Sequence, residues 1–279
     1  KFLIEIRYVG YKTLIQTIDL SVKQAQIYEL YPSIIEANEV VVTGTAFSSD
    51  NRKNSTAVSS VSKDQLINRP SSNLIDAISK IPGVSQVSTG GGISKPVIRG
   101  LSYNRVVTLV DGAKQEGQQW GDEHGMEVDQ FSAERVEVLR GAASLLYGSD
   151  ALGGVINVLE PLPSQEGHIR GELISSYQSN NGLSASTAML QGNSKGFIWR
   201  GRASLKSAYS YNAPGGRIAN TGFDETNFSG QLGMNKKWGY AHLNLSSFNS
   251  NVGLPDFTRN ADGQFEDQDG AVLTNEQLK

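Results

Sequence analysis

The pattern of apolar and polar residues differs between two parts of the chain, which meet near Pro163. After Ile169, segments of about ten residues place apolar side chains on one face and polar side chains on the other, which is typical of half-buried strands. Between Val58 and Pro163, short alternating runs are mixed with short runs at helical spacing. The pattern predicts a mixed α and β domain followed by antiparallel strands.

Two short helices are predicted in the mixed domain. Ser62 and Gln65 stand at the spacing of a capping box, and Pro70 closes the first helical segment. The second helix is indicated by apolar residues at helical spacing, namely Leu74, Ile75, Ile78 and Ile81. The triplet Gly90, Gly91 and Gly92 is not followed by the lysine of a P-loop, so we interpret it as a flexible loop and not as a phosphate site.

The first part of the chain is predicted to contain strands and a linker. Phe2, Ile4, Ile6 and Tyr8 occupy every second position, as in a strand, and residues 13–20 indicate a second strand. Residues 40–42 are three valines between a glutamate and a threonine-glycine pair, a pattern that indicates an edge strand able to pair with another chain. Residues 46–55 are polar and charged, which is the composition of a linker.

Composition narrows the class of protein. A length of 279 residues suggests about two domains. The absence of cysteine excludes disulfides and thiolate metal sites. The net charge is −3 and the charged residues are spread along the chain, so no basic patch indicates a nucleic-acid partner.

The sequence also lacks the patterns of several other classes. The first residues show no signal-peptide pattern, and no apolar run reaches the roughly 18 residues that a membrane helix needs. A membrane would therefore be crossed by strands. Neither a Gly-x-Ser-x-Gly elbow nor a His-Glu-x-x-His motif is present, and we expect that the protein is not an enzyme.

Three motifs follow one another along the chain. Residues 39–45 read Glu-Val-Val-Val-Thr-Gly-Thr, and residues 98–100 read Ile-Arg-Gly before an apolar strand that ends in Asp111-Gly112. The third motif, within residues 134–158, is marked by Glu137, Arg140, Gly141, Tyr147, Gly148, Gly153, Gly154 and Asn157. Together these motifs resemble the plug domain of TonB-dependent outer-membrane receptors, with residues 39–45 resembling the TonB box.

The resemblance implies an α+β plug domain and part of an antiparallel transmembrane β-barrel, preceded by a short β-sandwich remnant. The expected domains are 1–37, the end of a carboxypeptidase regulatory-like β-sandwich of the kind found in many Bacteroidetes receptors; 38–55, the TonB box and linker; 56–162, the plug; and 163–279, the first barrel strands. A soluble antiparallel sandwich would show similar alternation after residue 163, and the neighbouring plug motifs favour the barrel.

The expected barrel is incomplete. A plugged transporter barrel has roughly 22 strands, which is more than residues 163–279 can supply at about 10 residues per strand. We therefore expect about five barrel strands in this chain, and we expect the chain to be a fragment of a longer receptor.

The loop after Asp111-Gly112 is implied by the resemblance to face outward and to form part of the cargo floor. The expected substrate-binding residues in it are Trp120, Asp122, Glu123, His124 and Glu127. Carboxylates and an imidazole suit a divalent cation such as zinc, which makes Asp122, Glu123 and His124 candidate metal ligands. Haem ligation by the histidine and a solvated acidic loop without a ligand are the alternatives.

A second acidic stretch lies near the end of the chain. It matches part of a calcium-loop spacing at Asp267, Asp269, Gly270 and Glu276. Phe265 occupies the position of the first carboxylate, however, so an extracellular barrel loop is the simpler interpretation.

Two further sets of residues receive roles from the resemblance alone. The TonB-box residues, Glu39, Val40, Val41, Val42 and Thr43, are expected to contact a periplasmic energy-coupling protein of the TonB type. Arg99, Glu137 and Arg140 are expected to lock the plug against barrel glutamates, because a buried guanidinium needs such partners.

The implied function is energy-coupled import of a scarce nutrient across the bacterial outer membrane, with the plug facing the periplasm. The cargo would be a metal ion, a metal chelate such as a siderophore, or haem, and no resident cofactor is expected. The expected partners are the TonB-type protein, outer-membrane lipid and the nutrient. The alternative is an outer-membrane binding protein or adhesin without active transport, and the TonB box favours transport.

Overall fold

The computed structural model describes most of the chain after Val58 and short stretches before it. The described residues are 2–6, 14–18, 28–29, 40–41, 49–50, 58–214, 216–236, 239–254, 258–266, 271–272 and 274. The chain divides into two compact units, one made of Lys1–Val40 with Ser49–Asn54 and the other of Val41–Ser48 with Ser55–Lys279.

The first unit contains a small antiparallel pair of strands. The described strands up to residue 50 are β1 (Phe2–Ile6), β2 (Leu14–Ile18), β3 (Val40–Val41) and β4 (Ser49–Asp50). In the β1–β2 pair, Ile4 lies opposite Gln16 and Ile6 opposite Leu14. The half-buried side chains of Ile4, Ile6 and Leu14 follow from the alternation in the sequence.

The mixed domain in the second unit is built on a five-stranded sheet. Its strands and those of an adjoining hairpin are β5 (Val58–Ser62), β6 (Val84–Ser88), β7 (Ser94–Ile98), β8 (Val106–Val110), β9 (Ala113–Gln115), β10 (Arg135–Leu139) and β11 (Gly154–Leu159). The order in the sheet is β5-β10-β11-β8-β9, and β6 pairs with β7 separately. The β8–β11 pair is parallel and the other pairs are antiparallel.

Two short helices connect these strands, as predicted. Helix α1 (Lys63–Ile67) begins at the capping box of Ser62 and Gln65, and α2 (Leu74–Ile78) begins at Asn73. Helix α2 ends before Ile81, which is nevertheless buried. Among the described residues, no helix is long and apolar enough to span a membrane. The described 3₁₀ segments are Tyr103–Arg105, Gly117–Gln119, Gln130–Ser132, Ala142–Tyr147 and Ser149–Leu152.

The five-stranded sheet β5-β10-β11-β8-β9, called the plug sheet below, is covered on both faces by apolar side chains. One core cluster joins the helices to the sheet through Leu66, Leu74, Ile78, Val136, Val138, Ile156 and Val158, among others. The other core cluster contains Val58, Val107, Leu109, Leu139, Ala151 and Val155. The valine-rich strands β8, β10 and β11 are therefore the buried centre of this domain, as expected for strands covered on both faces.

A second five-stranded sheet follows the mixed domain. Its long strands are β12 (Ile169–Gln178), β13 (Leu183–Ser194), β14 (Phe197–Ala208), β17 (Phe223–Lys236) and β18 (Gly239–Val252), in that order and all antiparallel. Short strands in the connections are β15 (Asn212–Ala213), β16 (Gly216–Arg217), β19 (Thr258–Arg259) and β20 (Phe265–Glu266).

The two faces of this second sheet have opposite chemistry. The exposed face carries large apolar side chains, including Ile169, Leu173, Tyr177, Leu190, Leu205 and Phe228. The face toward the plug buries polar and charged side chains, including Gln191, Arg200, Arg202, Ser204, Lys206 and Glu225. A soluble sandwich would bury its apolar face instead, so this pattern agrees with a lipid-facing barrel wall.

The lengths of the connections between its strands distinguish the two ends of the second sheet. Strands β13 and β14 are joined through residues 195–196, and β17 and β18 through residues 237–238, whereas β14 and β17 are joined through residues 209–222. Membrane barrels have short turns on the periplasmic side and longer loops on the outer side. In a membrane barrel, the end that carries residues 209–222 would therefore face outward, and it is called the outer end below.

Candidate functional site

The predicted cargo loop lies beside the β6–β7 hairpin, near the outer end of the barrel sheet. Its anchor is Gln118, which is buried and donates from Nε2 to the carbonyl of Val106 at 2.8 Å, while Thr108 donates to its Oε1 at 2.7 Å. The side chain of Trp120 is 67% exposed. The loop therefore has a fixed base and an exposed aromatic group.

A buried lysine, Lys95, forms hydrogen bonds with the backbone of the same loop. Lys95, on β7, donates from Nζ to the carbonyl oxygens of Trp120, at 2.5 Å, and of Gly121. The same ammonium lies 4.3 Å from the ring centre of Tyr103. Burial lowers the pKa of Lys95, and the negative charges of Asp122 and Glu123 oppose that shift.

Asp122 is held by two further side chains. The Tyr103 hydroxyl donates to Asp122 Oδ1, and the Thr89 hydroxyl donates to the backbone carbonyl of Asp122 at 2.7 Å. The hydrogen bond to Asp122 raises the pKa of Tyr103. Neither Lys95 nor Tyr103 was expected from the sequence to act at this loop, because a lysine in a five-residue strand normally indicates a solvated position.

The structure does not assemble the predicted metal site. Asp122 is turned toward Tyr103, and His124 Nε2 lies 3.9 Å from a Glu123 oxygen, with both of these side chains exposed. Glu127 is directed toward Gly117. In the described part of the chain, no group of three histidine, aspartate or glutamate side chains is placed to hold a metal ion. Closeness in sequence did not bring these ligands together, because residues 121–124 form a turn whose side chains diverge.

A polar cleft of about 620 Å³ opens next to the loop. It is lined by α2, the β6–β7 hairpin and the outer end of β12, through residues that include Asn73, Asp76, Gln86, Thr89, Gln178, Asn181 and Tyr211. No lysine, arginine or histidine is among these described lining residues. Both oxygens of Asp76 accept hydrogen bonds from the plug itself, one from the Ser72 amide and one from Gln86. The cleft therefore presents amides and hydroxyls.

The glycine triplet beside the cleft packs against the barrel sheet. A Cβ atom at Gly91 would lie 2.8 Å from the Thr221 carbonyl, and one at Gly92 would lie 2.9 Å from Val252 and 3.0 Å from Phe223. These distances are shorter than normal contacts, so the absence of side chains allows the plug backbone to approach the barrel. The predicted flexible loop is thus a close contact between the plug and the outer end of the barrel.

The three residues of the predicted plug–barrel lock have contacts within the plug. Arg140 donates to the Pro82 carbonyl and to the Ser59 hydroxyl. Glu137 is fully buried and pairs with Arg135 at 3.0 Å. Arg99 has a φ of 51°, and its amide donates to the Gly83 carbonyl at 3.2 Å. These contacts lie within the plug, and the lock stays a prediction.

The described contact between plug and barrel is formed by other charged residues. Glu172 on β12 accepts from Lys63 of α1 at 2.5 Å and from Arg202 of β14 at 3.1 Å. Arg200 pairs with Glu160, which follows β11. Burial raises the pKa of Glu160, with Arg200 opposing the shift. Burial also lowers the pKa of Lys63, and Glu172 opposes that shift.

Hydrogen bonds extend this interface along β14 toward the outer end. Ser204 donates to Asp129 at 2.6 Å, and Lys206 donates to the Ser72 carbonyl and to Gln130 Oε1, each at 3.4 Å. The only sequence signal for these residues was their position on the polar face of alternating strands. Their plug partners are far away in sequence and could not be identified from it.

Parts of two predicted sites lie outside the described residues. Of the TonB-box residues, Val40 and Val41 form strand β3, whereas Glu39, Val42 and Thr43 are not described. Asp267, Asp269, Gly270 and Glu276 of the second acidic stretch also lie outside the described part of the chain.

Comparison with known families identifies the mixed domain. Residues 50–155 match the model of the TonB-dependent Receptor Plug Domain. The "Iron-regulated outer membrane virulence protein" of Vibrio cholerae is 35% identical over 134 residues, which cover 46% of this chain and 20% of that protein. The "Vitamin B12 transporter BtuB" of Vibrio vulnificus is 34% identical over 133 residues, which cover 47% of this chain and 22% of that protein.

Solved structures share the fold of both domains. The siderophore receptor PirA from Acinetobacter baumannii superposes with a TM-score of 0.61 at 22% identity, over 74% of this chain and 33% of that receptor. The copper transporter OprC gives a TM-score of 0.61 at 17% identity, over 72% of this chain and 31% of the transporter. This chain therefore spans about a fifth of the length of the two curated relatives and about a third of the two solved structures.

These comparisons agree with the motifs and with the barrel wall described above. The relatives are named as outer-membrane proteins, transporters and receptors and not as enzymes, as the sequence predicted. Residues 50–155 are therefore a TonB-dependent receptor plug domain, and the antiparallel strands that follow it match the barrel fold of outer-membrane receptors.

Proposed function

We propose that the protein imports a scarce nutrient across the bacterial outer membrane with energy delivered by a TonB-type periplasmic protein. The relatives support this proposal, since they are named for iron regulation and for vitamin B12, siderophore and copper uptake. On this proposal, residues 1–37 end a β-sandwich, 38–55 hold the TonB box and linker, 56–162 form the plug, and 163–279 begin the barrel.

The observation that carries the proposal is the polar contact between plug and barrel. Lys63, Glu160 and Asp129 of the plug bind the barrel through ion pairs and hydrogen bonds. Water can replace each such contact at a small net cost, because the separated groups are solvated again. An apolar interface would be harder to separate, because apolar groups gain no compensating contacts with water. A plug held by polar contacts suits a receptor whose plug must move, and so favours transport over binding alone.

The partner contact is proposed at the TonB box, Glu39, Val40, Val41, Val42 and Thr43. The short strand β3 within it supports pairing with a strand of the energy-coupling protein by β-addition. Changing Val41 to proline removes a backbone donor from that pairing. We expect this variant to bind cargo normally and to lose uptake. Val41→Thr keeps the amide and the β-branched shape, so it should transport normally, and normal uptake by the proline variant would exclude this assignment.

The cargo is proposed to be a metal chelate that rests on Trp120 and is approached by Asp122, Glu123, His124 and Glu127. An exposed indole offers a flat apolar surface to an organic ligand, and the neighbouring cleft offers amides and hydroxyls. Among the described residues, no three histidine, aspartate or glutamate side chains are grouped to hold a bare ion, and the exposed indole beside a polar cleft suits a larger organic chelate.

Uptake measurements with labelled cargo can test this choice. The full-length receptor would be expressed in cells without their own receptors and offered a ferric siderophore, haem, cobalamin, free zinc or free copper. We expect uptake of one of the chelates, dependent on the energy-coupling protein, and no uptake of the free ions. Import of a free ion alone, or binding without import of any cargo, would contradict the proposal.

A further inference from the structure

We propose that Lys95 is a positioning residue that holds the backbone of the Trp120–Asp122 segment so that the indole of Trp120 is presented to cargo. The part of this proposal that concerns cargo rests on the proposed function. The part that concerns the loop does not. Lys95 is not among the residues predicted to bind cargo or to lock the plug. Only 1% of this residue is exposed, so its side chain does not reach the outer surface.

The geometry at Lys95 restrains two successive peptide units. Its ammonium donates to the carbonyl oxygens of two successive residues, Trp120 and Gly121, and therefore restrains the backbone between them. Hydrogen bonds from a charged donor are stronger than neutral ones. The face of the Tyr103 ring lies against the same ammonium at 4.3 Å, which adds a cation–π contact.

The next residue is restrained from two other elements. Tyr103, in the 3₁₀ segment before β8, donates to the Asp122 carboxylate, and Thr89, after β6, donates to the Asp122 carbonyl. The segment is thus held by three side chains from three separate places in the plug. Trp120, at the start of this restrained segment, is 67% exposed.

This arrangement orders the backbone before cargo arrives. Ordering a loop on binding lowers affinity, and a loop that is already ordered avoids most of that cost. Loss of Lys95 should therefore weaken cargo binding without slowing the movement of the plug. A residue needed only for folding would instead lower the amount of folded receptor and loosen the whole plug.

Hydrogen exchange on the purified full-length receptor, without cargo, tests the loop directly. In Lys95→Met, amides of residues 117–126 should exchange at least about tenfold faster, while amides of β8, β10 and β11 should be unchanged. Tyr103→Phe keeps the ring and removes the hydroxyl, so it should produce a smaller increase at the same residues. Lys114→Met is the control for the loss of a lysine, because Lys114 pairs with Glu116 and Asp150, both outside residues 117–126.

Uptake assays with the cargo identified above then test the role in binding. We expect the half-saturating cargo concentration to rise about tenfold in Lys95→Met, with the maximal rate unchanged. Unchanged exchange at residues 117–126, or faster exchange across the whole plug, would overturn the proposal. If Lys95→Met does not fold, Tyr103→Phe decides by the same exchange measurement. If none of the offered cargoes is imported, the proposed function fails while the exchange result still judges the loop.

Discussion

Removing the carboxylate of Glu172 should loosen the plug more than any other single change at the described interface. Glu172 accepts from Lys63 at 2.5 Å and from Arg202 at 3.1 Å. The side chains of Lys63, Glu172 and Arg202 are 10%, 15% and 2% exposed, respectively. In Glu172→Gln, two cations that are almost out of water would therefore lose their shared anion.

The size of the effect follows from this burial. Deleting one member of a buried ion pair costs about 3–5 kcal/mol, because the remaining charge is stranded. Since Glu172 keeps some exposure, we expect about 3 kcal/mol, which is more than about a hundredfold in the equilibrium between seated and released plug. Lys63→Met should cost less, about 1–2 kcal/mol, because Glu172 then keeps Arg202 as its partner.

This chain contains no cysteine, so one introduced cysteine gives a direct assay in a full-length receptor from which any cysteines outside this chain have been removed by substitution. A single cysteine in place of Ala185, which is 4% exposed on the plug-facing side of β13, would react with a thiol reagent only when the plug leaves the barrel sheet. Its reaction rate would be measured in urea on four purified full-length receptors: the parent, the Glu172→Gln variant, the Lys63→Met variant and the surface control Lys114→Met. Equal rates in the Glu172→Gln and parent receptors would refute the reasoning, as would a larger effect of Lys63→Met.

Two other predictions concern the outer contact and the junction between the domains. Gly91→Ala should weaken the seating of the plug, because its new Cβ would lie 2.8 Å from the Thr221 carbonyl, while Gly201→Ala, where no atom lies within 4 Å, should be neutral in the same thiol assay. Burial raises the pKa of Glu160 above 4.5, so the folded state binds more protons than the unfolded chain between pH 4.5 and that raised pKa. Stability should therefore fall as pH rises through this window, and Glu160→Gln should flatten the pH profile of the urea midpoint.

Local sequence signals predicted most of the elements of the plug. The capping box at Ser62 and Gln65 placed the start of α1 correctly, because the bonds that form it join residues three apart. The apolar run of β8 and the turn at Asp111-Gly112 were likewise visible from neighbouring residues. The alternation after Ile169 predicted strands with a polar face inward, which the buried Arg200 and its neighbours confirm.

Contacts between distant residues could not be predicted in the same way. Lys63 and Glu172 are 109 positions apart, and nothing local to either residue indicates its partner. Lys95 was overlooked because its two acceptors are backbone carbonyls, which carry no sequence signature. The glycine triplet was misread for a related reason, since the atoms that exclude a side chain at Gly91 belong to residues 221–223.

The topology also indicates where a pull on residues 39–45 would first disrupt the plug. Strand β5 is the first plug strand after the proposed TonB box, and it lies at the edge of the plug sheet, paired with β10. Strands β10 and β11 are internal to the same sheet. Force transmitted along the chain reaches β5 before any other strand of the sheet, and an edge strand loses only one ladder of hydrogen bonds when it leaves.

We therefore expect β5 to separate from β10 during transport while β10 and β11 stay paired. Val61 lies opposite Val136 across β5 and β10, and Val138 lies opposite Ile156 across β10 and β11. All four side chains belong to the same core cluster, which makes the pairs well matched. A disulfide between cysteines at 61 and 136 should stop uptake and leave cargo binding intact, and a reducing agent should restore uptake. A disulfide between cysteines at 138 and 156 should be tolerated, and equal uptake by both cross-linked receptors would show that the plug moves without releasing its edge strand.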